Sequence, residues 1–173
     1  MSNNFNNISP LDNRYSSKIE TVRTNFSEFA LIKIRFEIEI DWIIYLCKNK
    51  PNVFKKISES SIKKLVKFKN NFDDSYVTKI KKIESVTNHD VKAVEYFIRD
   101  YFIKDNVLKN YIQFIHFGLT SEDINSLSYA VMLKNGIDIY LADIESLNSN
   151  LNIKACEWSD TVSYTHLTLP TKA

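Results

Sequence analysis

The stretch SEFALIKIRFEIEIDWIIYLCK, residues 27–48, decides between a helical fold and a β fold. Its middle part, residues 32–41, alternates apolar and charged residues, as a half-buried strand does. The flanking residues are apolar without alternation. No glycine or proline interrupts the whole stretch, which is much longer than a usual strand. We therefore predict a long helix here, capped by Ser27 and continuing through Lys48.

Glycine is scarce in this chain, where Gly118 and Gly136 are the only two among 173 residues. A GxGxxG loop or a Walker loop needs nearby glycines where backbone meets phosphate, so nucleotide binding of those types is excluded. The shortage of turn residues also favours an all-α fold over a β sandwich. Apolar spacing predicts further helices over residues 16–24, 58–71, 74–86, 90–103, 121–134 and 137–158, with Asn135-Gly136 as a helix stop.

Charge and cysteine usage exclude several classes of protein. The 23 basic and 21 acidic residues give a net charge of +2, which does not argue for nucleic-acid binding, and we interpret the lysine-rich stretch 55–82 as solvated helix faces. Cys47 and Cys156 do not form a secreted disulfide framework, and Cys47 lies in an apolar run that predicts a buried thiol. No signal peptide and no membrane span is evident, so we expect a cytoplasmic protein.

The segment TNHDVKAVEYF, residues 87–97, predicts the start of a helix at a cluster of polar residues. We call residues 88–90, which are Asn88, His89 and Asp90, the first mouth, with Asp90 as the expected cap. A helix N-terminus carries unpaired N–H groups and partial positive charge, and a histidine there changes protonation near neutral pH. Farther along, Lys92 and Glu95 are expected at exposed positions.

A second cluster, IHFGLTSED at residues 115–123, opens another predicted helix. We call Thr120 and Ser121 the second mouth; either residue is a candidate cap, and Asp123 stands three residues after Thr120 as in a capping box. His116 lies just before it, and packing and function are equally good interpretations of that residue. Two helix mouths with nearby histidines predict a site for a small molecule with several negative charges.

Three motifs together resemble the adenylosuccinate lyases, a family of the fumarase/aspartase superfamily. They are SPLDNRY (9–15), TNHDVKAVEYF (87–97) and FIHFGLTSEDIN (114–125), in the order and spacing of the family's N-terminal third. The resemblance covers residue 1 to about residue 162. Because family members are much longer, it implies an N-terminal fragment. Residues 1–110 would then form an N-terminal helical domain, and residues 111–173 would begin a central helical bundle.

The resemblance also implies a reaction. Adenylosuccinate is split into AMP and fumarate by β-elimination, and the succinyl-aminoimidazole-carboxamide ribotide of purine biosynthesis is split likewise. No metal or organic cofactor is implied. The implied assembly is a homotetramer whose active sites draw residues from several subunits.

The family pattern assigns substrate contacts to residues of all three motifs. Arg14 and Tyr15 match the pair that meets the substrate phosphate, for which a guanidinium fork is well shaped. Asn88, His89 and Asp90 match substrate-contacting positions, and His89 is also a candidate catalytic residue. The remaining matches are Thr120 and Ser121, which hold the succinyl side, and His116, which lies near the site without an assigned role.

A candidate general acid lies at the end of the chain. Thr165-His166 falls near the place of the family's general-acid histidine. However, Leu167-Thr168-Leu169 follows where the family has Gly-Gln-Pro, and Tyr164 replaces an arginine. His166 is therefore either the acid in a diverged setting or a chance match in a non-native tail, residues 163–173. The family's serine-bearing catalytic loop is absent, so we expect this fragment to be inactive by itself.

Two alternative functions remain. Argininosuccinate lyase is another fumarate-releasing enzyme of the superfamily, against which the NHDVK run argues. A non-catalytic helical interaction module is the other alternative. In a lyase Arg14, His89 and Ser121 should converge in one cleft, whereas in an interaction module they should be scattered over the surface.

Overall fold

The computed structural model describes residues 7, 9, 14–50, 52–54 and 56–160. This part of the chain contains helices and no strand, so the all-α prediction is confirmed. The α-helices are α1 (Glu20–Phe26), α2 (Glu28–Asn49), α3 (Glu59–Asn70), α4 (Asp74–Thr87), α5 (Asp90–Lys104) and α6 (Ser121–Glu157), with 3₁₀-helices at Ser16–Lys18 and Leu108–Phe114.

Helix α2 begins where the sequence predicts it. The Ser27 hydroxyl accepts a hydrogen bond from the Ala30 N–H at 3.2 Å, which caps the helix. The alternation of apolar and charged residues over residues 32–41 is compatible with a helix. Every second charged residue recurs four positions later, which is about one helical turn. Lys33, Glu37 and Asp41 therefore follow one another along a partly or fully exposed face of α2.

The core forms around α2, against which α3, α4 and α5 pack. Phe36 lies at its centre with no exposed surface. Its ring contacts four others at centroid distances of 4.9–6.2 Å, those of Phe68, Phe72, Tyr76 and Phe97. Aromatic rings at such distances contribute a favourable free energy of interaction in addition to that of burying their apolar surface.

Cys47 is buried in this core, as predicted. Burial raises the pKa of its thiol to about 11, since the thiolate would lose its hydration. The side chain therefore behaves as a small apolar group at neutral pH.

The predicted helix stop at Asn135-Gly136 is wrong, because α6 continues through both residues. A Cβ atom built on Gly136 would lie 2.4 Å from Cζ of Phe26, which is too close for an unshifted ring. Beside it, the Asn25 side-chain amide donates a hydrogen bond to the Met132 carbonyl at 2.7 Å. The glycine thus lets α1 approach α6 closely rather than ending the helix.

The chain divides into two compact units, residues 1–136 and 137–173. The proposed domain boundary near residue 110 stays a prediction. In the second unit, Ile139 and Ile144 are half-buried, and Leu141, Leu147 and Leu151 are about half exposed. Among the helices that the structure describes, none is long and apolar enough to cross a membrane.

Candidate functional site

The first mouth connects α4 to α5. The His89 Nδ1 atom accepts a hydrogen bond from the Lys92 N–H at 3.3 Å, so His89 is the cap of α5. The prediction that Asp90 is the cap is wrong. Asp90 is the first helical residue, and its carboxylate accepts from the Val91 N–H at 2.8 Å.

Asn88 ends α4 in a left-handed backbone conformation with φ of 50°. Its N–H donates to the Glu84 carbonyl at 2.8 Å, and its side chain is exposed. Left-handed residues other than glycine are uncommon and often lie at functional sites. His116, with φ of 57°, is the other such residue in the described part of the chain.

The second mouth is a capping box. The Thr120 hydroxyl accepts from the Asp123 N–H at 3.3 Å, and the Asp123 carboxylate accepts from the Thr120 N–H at 2.7 Å. The Thr120 N–H and the Thr120 hydroxyl, which donates to the same carboxylate at 2.8 Å, hold the pKa of the Asp123 carboxyl below its ordinary value. Thr120 is therefore the cap, and Ser121 is the first residue of α6.

The two mouths meet in space. The Ser121 Oγ atom lies 3.4 Å from Nε2 of His89, although the residues are 32 positions apart. Because Nδ1 of His89 accepts from a backbone N–H, a neutral ring carries its proton on Nε2 and donates it to Ser121. The His89 side chain is about half exposed (48%), so a ligand can reach this pair.

His116 is bound to a buried carboxylate of α2. Its Nδ1 atom lies 2.5 Å from Oε1 of Glu39, and its backbone N–H donates to Oε2 at 3.1 Å. This hydrogen bond is the first cause of the raised pKa of His116; burial acts in the opposite direction. The charge of Glu95 also raises the pKa of His116, the charge of Lys92 lowers it, and His116 in turn lowers the pKa of Asp123.

Lys92 and Glu95 are not the exposed pair that the sequence suggests. Glu95 is buried, and its carboxylate binds Lys92 Nζ at 2.6 Å and Arg99 Nη2 at 3.3 Å. A buried carboxylate requires such partners, because an unpaired one would be costly.

Arg35 and Glu39 belong to the site although no sequence motif predicts them there. Arg35 is buried, and its Nη2 atom pairs with the Asp90 carboxylate at 2.8 Å. A signal was present: once residues 27–48 are read as a helix, Arg35 and Glu39 lie one turn apart beside the apolar positions Ile32, Phe36 and Ile40. Charged side chains beside the apolar face of a helix are expected to be buried and to bind polar or charged groups of other elements.

Two residues of the motif at 9–15, Arg14 and Tyr15, have no direct bond to the two mouths among the described residues. Arg14 and Tyr15 are exposed, and the Arg14 guanidinium lies 5.5 Å from the centroid of the Tyr15 ring. In the part of the chain that the structure describes, no hydrogen bond or ion pair connects either residue to His89 or Ser121. Residues 10–13 of that motif, and His166 with the tail 163–173, lie outside the described residues.

Comparisons with known proteins agree with the resemblance. "Adenylosuccinate lyase" of Legionella pneumophila (strain Corby) is 46% identical over 135 residues, which cover 77% of this chain and 29% of the relative. The protein of the same name from Escherichia coli (strain K12) is 40% identical over 132 residues, 76% of this chain and 29% of the relative. That of Buchnera aphidicola subsp. Schizaphis graminum is 39% identical over 137 residues, 79% of this chain and 30% of the relative.

The chain thus spans less than a third of the length of these relatives. Their names confirm the resemblance to the adenylosuccinate lyases that the three motifs indicate. The model of a family described as "Lyase" matches residues 13–170, which is most of the sequence. The chain therefore belongs to this lyase family.

Proposed function

We propose that the chain is part of an adenylosuccinate lyase of purine nucleotide biosynthesis. The enzyme would release fumarate from adenylosuccinate to give AMP, and from the succinyl-aminoimidazole-carboxamide ribotide in the same way. The observation that carries this proposal is the 3.4 Å contact between His89 and Ser121. Two motifs that the family pattern assigns to substrate binding are thereby neighbours in the folded chain.

The chemistry suits a β-elimination. A base removes the proton next to a carboxylate, the electron pair becomes the double bond of fumarate, and the C–N bond breaks as the leaving nitrogen takes a proton. Negative charge accumulates on the carboxylate meanwhile. Fixed donors such as His89 Nε2–H and the Ser121 hydroxyl, beside two helix N-termini, would stabilise that charge.

The other substrate contacts belong to the same proposal. Asn88 and Asp90 lie at the first mouth, Thr120 lies at the second, and His116 lies in the segment that leads to the second and binds Glu39. Arg14 and Tyr15 would bind the phosphate, and His166 would act as the general acid. Other subunits of a homotetramer would complete the site, and we place the enzyme in the cytoplasm.

The exposed apolar face of α6 supports the proposed tetramer. Leu141, Leu147 and Leu151 are each about half exposed, and exposed apolar patches promote association. We expect the 173-residue chain to self-associate, with a light-scattering mass above its own 20.2 kDa. Replacing Leu147 and Leu151 by glutamate should lower that mass, whereas Asn150→Glu on the same helix should not. A monomeric mass for the unaltered chain would contradict this prediction.

The alternatives are weaker. An argininosuccinate lyase would share the fold, but the relatives from three bacteria carry the adenylosuccinate lyase name. A non-catalytic interaction module would not need a histidine and a serine from distant motifs at one accessible point. His89 and Ser121 converge, as a catalytic site requires, whereas Arg14 contacts the Tyr15 ring and has no hydrogen bond or ion pair to either of them among the described residues.

Complementation tests the proposed function. A chimera would carry this chain's aligned segment in place of the matching segment of the Legionella pneumophila relative. We expect it to restore purine-independent growth to an Escherichia coli strain that lacks its adenylosuccinate lyase. The intact Legionella protein is the control. Failure of a folded chimera, alongside success of that control, would contradict the proposal.

A further inference from the structure

Two buried charges of opposite sign lie one turn apart on α2. Arg35 is 5% exposed and Glu39 has no exposed surface. Each reaches a different element of the candidate site. This arrangement is unusual for a core helix, because buried charges cost free energy unless they are paired.

Arg35 binds the first mouth. Its guanidinium pairs with the Asp90 carboxylate at 2.8 Å, and Asp90 follows the cap residue His89. Burial raises the pKa of Asp90, but the Val91 N–H and Arg35 together keep the pKa below its ordinary value. The carboxylate therefore stays charged at neutral pH and anchors the start of α5 to α2.

Glu39 binds the segment that leads to the second mouth. Its two oxygens bind the Nδ1 and the backbone N–H of His116, which fixes both the ring and the left-handed backbone of that residue. With Nδ1 donating to Glu39, Nε2 is the nitrogen left for other partners. The Trp42 indole adds a bond from α2 to the Phe117 carbonyl at 2.9 Å.

We propose that Arg35 and Glu39 are positioning residues, which hold the first mouth through Asp90 and the second mouth through His116 in one fixed arrangement on α2. This inference rests on the proposed function, because it assigns the pair a role in that site. A purely stabilising role fits less well, because replacing a buried ion pair by apolar residues is often neutral or stabilising.

A histidine titration by NMR on the 173-residue chain tests the Glu39 contact directly. The charged groups that interact electrostatically with the His116 imidazole are Glu39 from α2, Lys92 and Glu95 from α5, and Asp123 from α6. In Glu39→Gln only the first of these charges is removed. We expect the midpoint of His116 to fall towards the ordinary value of about 6.5.

Glu37→Gln is the matched control, since Glu37 is a carboxylate on the same helix that pairs with Lys33 at 3.9 Å. Glu37→Gln should leave the titration midpoint of His116 unchanged. A His116→Gln variant identifies which NMR signal belongs to His116. Equal midpoints in the unaltered chain and Glu39→Gln would overturn the inference. If Glu39→Gln does not fold, an ordinary or lowered midpoint for His116 in the unaltered chain would overturn it equally.

Activity of the chimera separates positioning from stability. Glu39→Gln should lower kcat at least about tenfold with a smaller change in KM, because a displaced His116 no longer holds the second mouth in its arrangement beside His89. Glu39→Asp, which keeps the charge, should recover part of the loss, and Arg35→Met should act in the same direction as Glu39→Gln. An inactive chimera would count against the proposed function. An active chimera unaffected by Glu39→Gln would count against the positioning role alone.

Discussion

Replacing His89 by alanine should lower kcat/KM of the chimera for adenylosuccinate by at least about a hundredfold. A positioned group that transfers a proton or stabilises the transition state contributes about that much. The change removes the Nε2–H that faces Ser121 at 3.4 Å and the bond from Lys92 to Nδ1. Folding should survive, because His89 is about half exposed and loss of a cap costs about 1 kcal/mol.

The control for His89→Ala must be an exposed residue that has no contact with buried groups of the candidate site. Lys92 is unsuitable, because it pairs with the buried Glu95 at 2.6 Å. Lys63, exposed on α3, is a better choice, and Lys63→Ala should be nearly silent. Equal and small effects of the two substitutions on kcat/KM would show that His89 is only a structural cap.

Phe36→Ala should lower the free energy of unfolding of the 173-residue chain by about 3–5 kcal/mol. The Phe36 ring has no exposed surface and contacts rings from α3, α4 and α5, so its loss leaves a cavity where these helices meet. Small domains are stable by only about 5–15 kcal/mol, so the effect would be a large part of the total.

Urea unfolding followed by circular dichroism measures this change. Val86→Ala is the control, since Val86 is 85% exposed and should change the free energy by less than about 0.5 kcal/mol. A loss below about 1 kcal/mol for Phe36→Ala would mean that the aromatic cluster is not the core of the folded chain in solution.

Local signals were sufficient to predict helices α2 to α5. The Ser27 cap and the uninterrupted apolar run correctly indicate α2, and the predicted helices at 58–71 and 74–86 agree with α3 and α4 within a few residues. These features depend on residues close in sequence, through caps and apolar periodicity. The Thr120–Asp123 capping box belongs to the same class.

Errors arose where a distant residue decides the local structure. Gly136 is a stop signal by itself, yet α6 continues through it, and the Phe26 ring occupies the space that a side chain at this position would need. Asp90 is a better cap than His89 by residue type, but Arg35 pairs with its carboxylate from another helix. Neither partner is visible from the sequence around the residue concerned.

In the candidate site, too, some features depend on residues close in sequence and others on distant residues. The motifs around His89 and Ser121 are recognisable in the sequence, and the structure brings these two residues together. The buried charges that hold them, Arg35 and Glu39, lie far away in the sequence within a strand-like pattern. The packing of α2 against α5 and against the segment before α6 shows which groups these buried charges bind.

The most direct measurement of the central claim is the simultaneous quantification of fumarate and AMP that the purified chimera releases from adenylosuccinate. The proposed β-elimination predicts equal amounts of the two products at all times, and no fumarate from argininosuccinate. Absence of both products with a folded chimera, while the intact Legionella relative is active under the same conditions, would contradict the account.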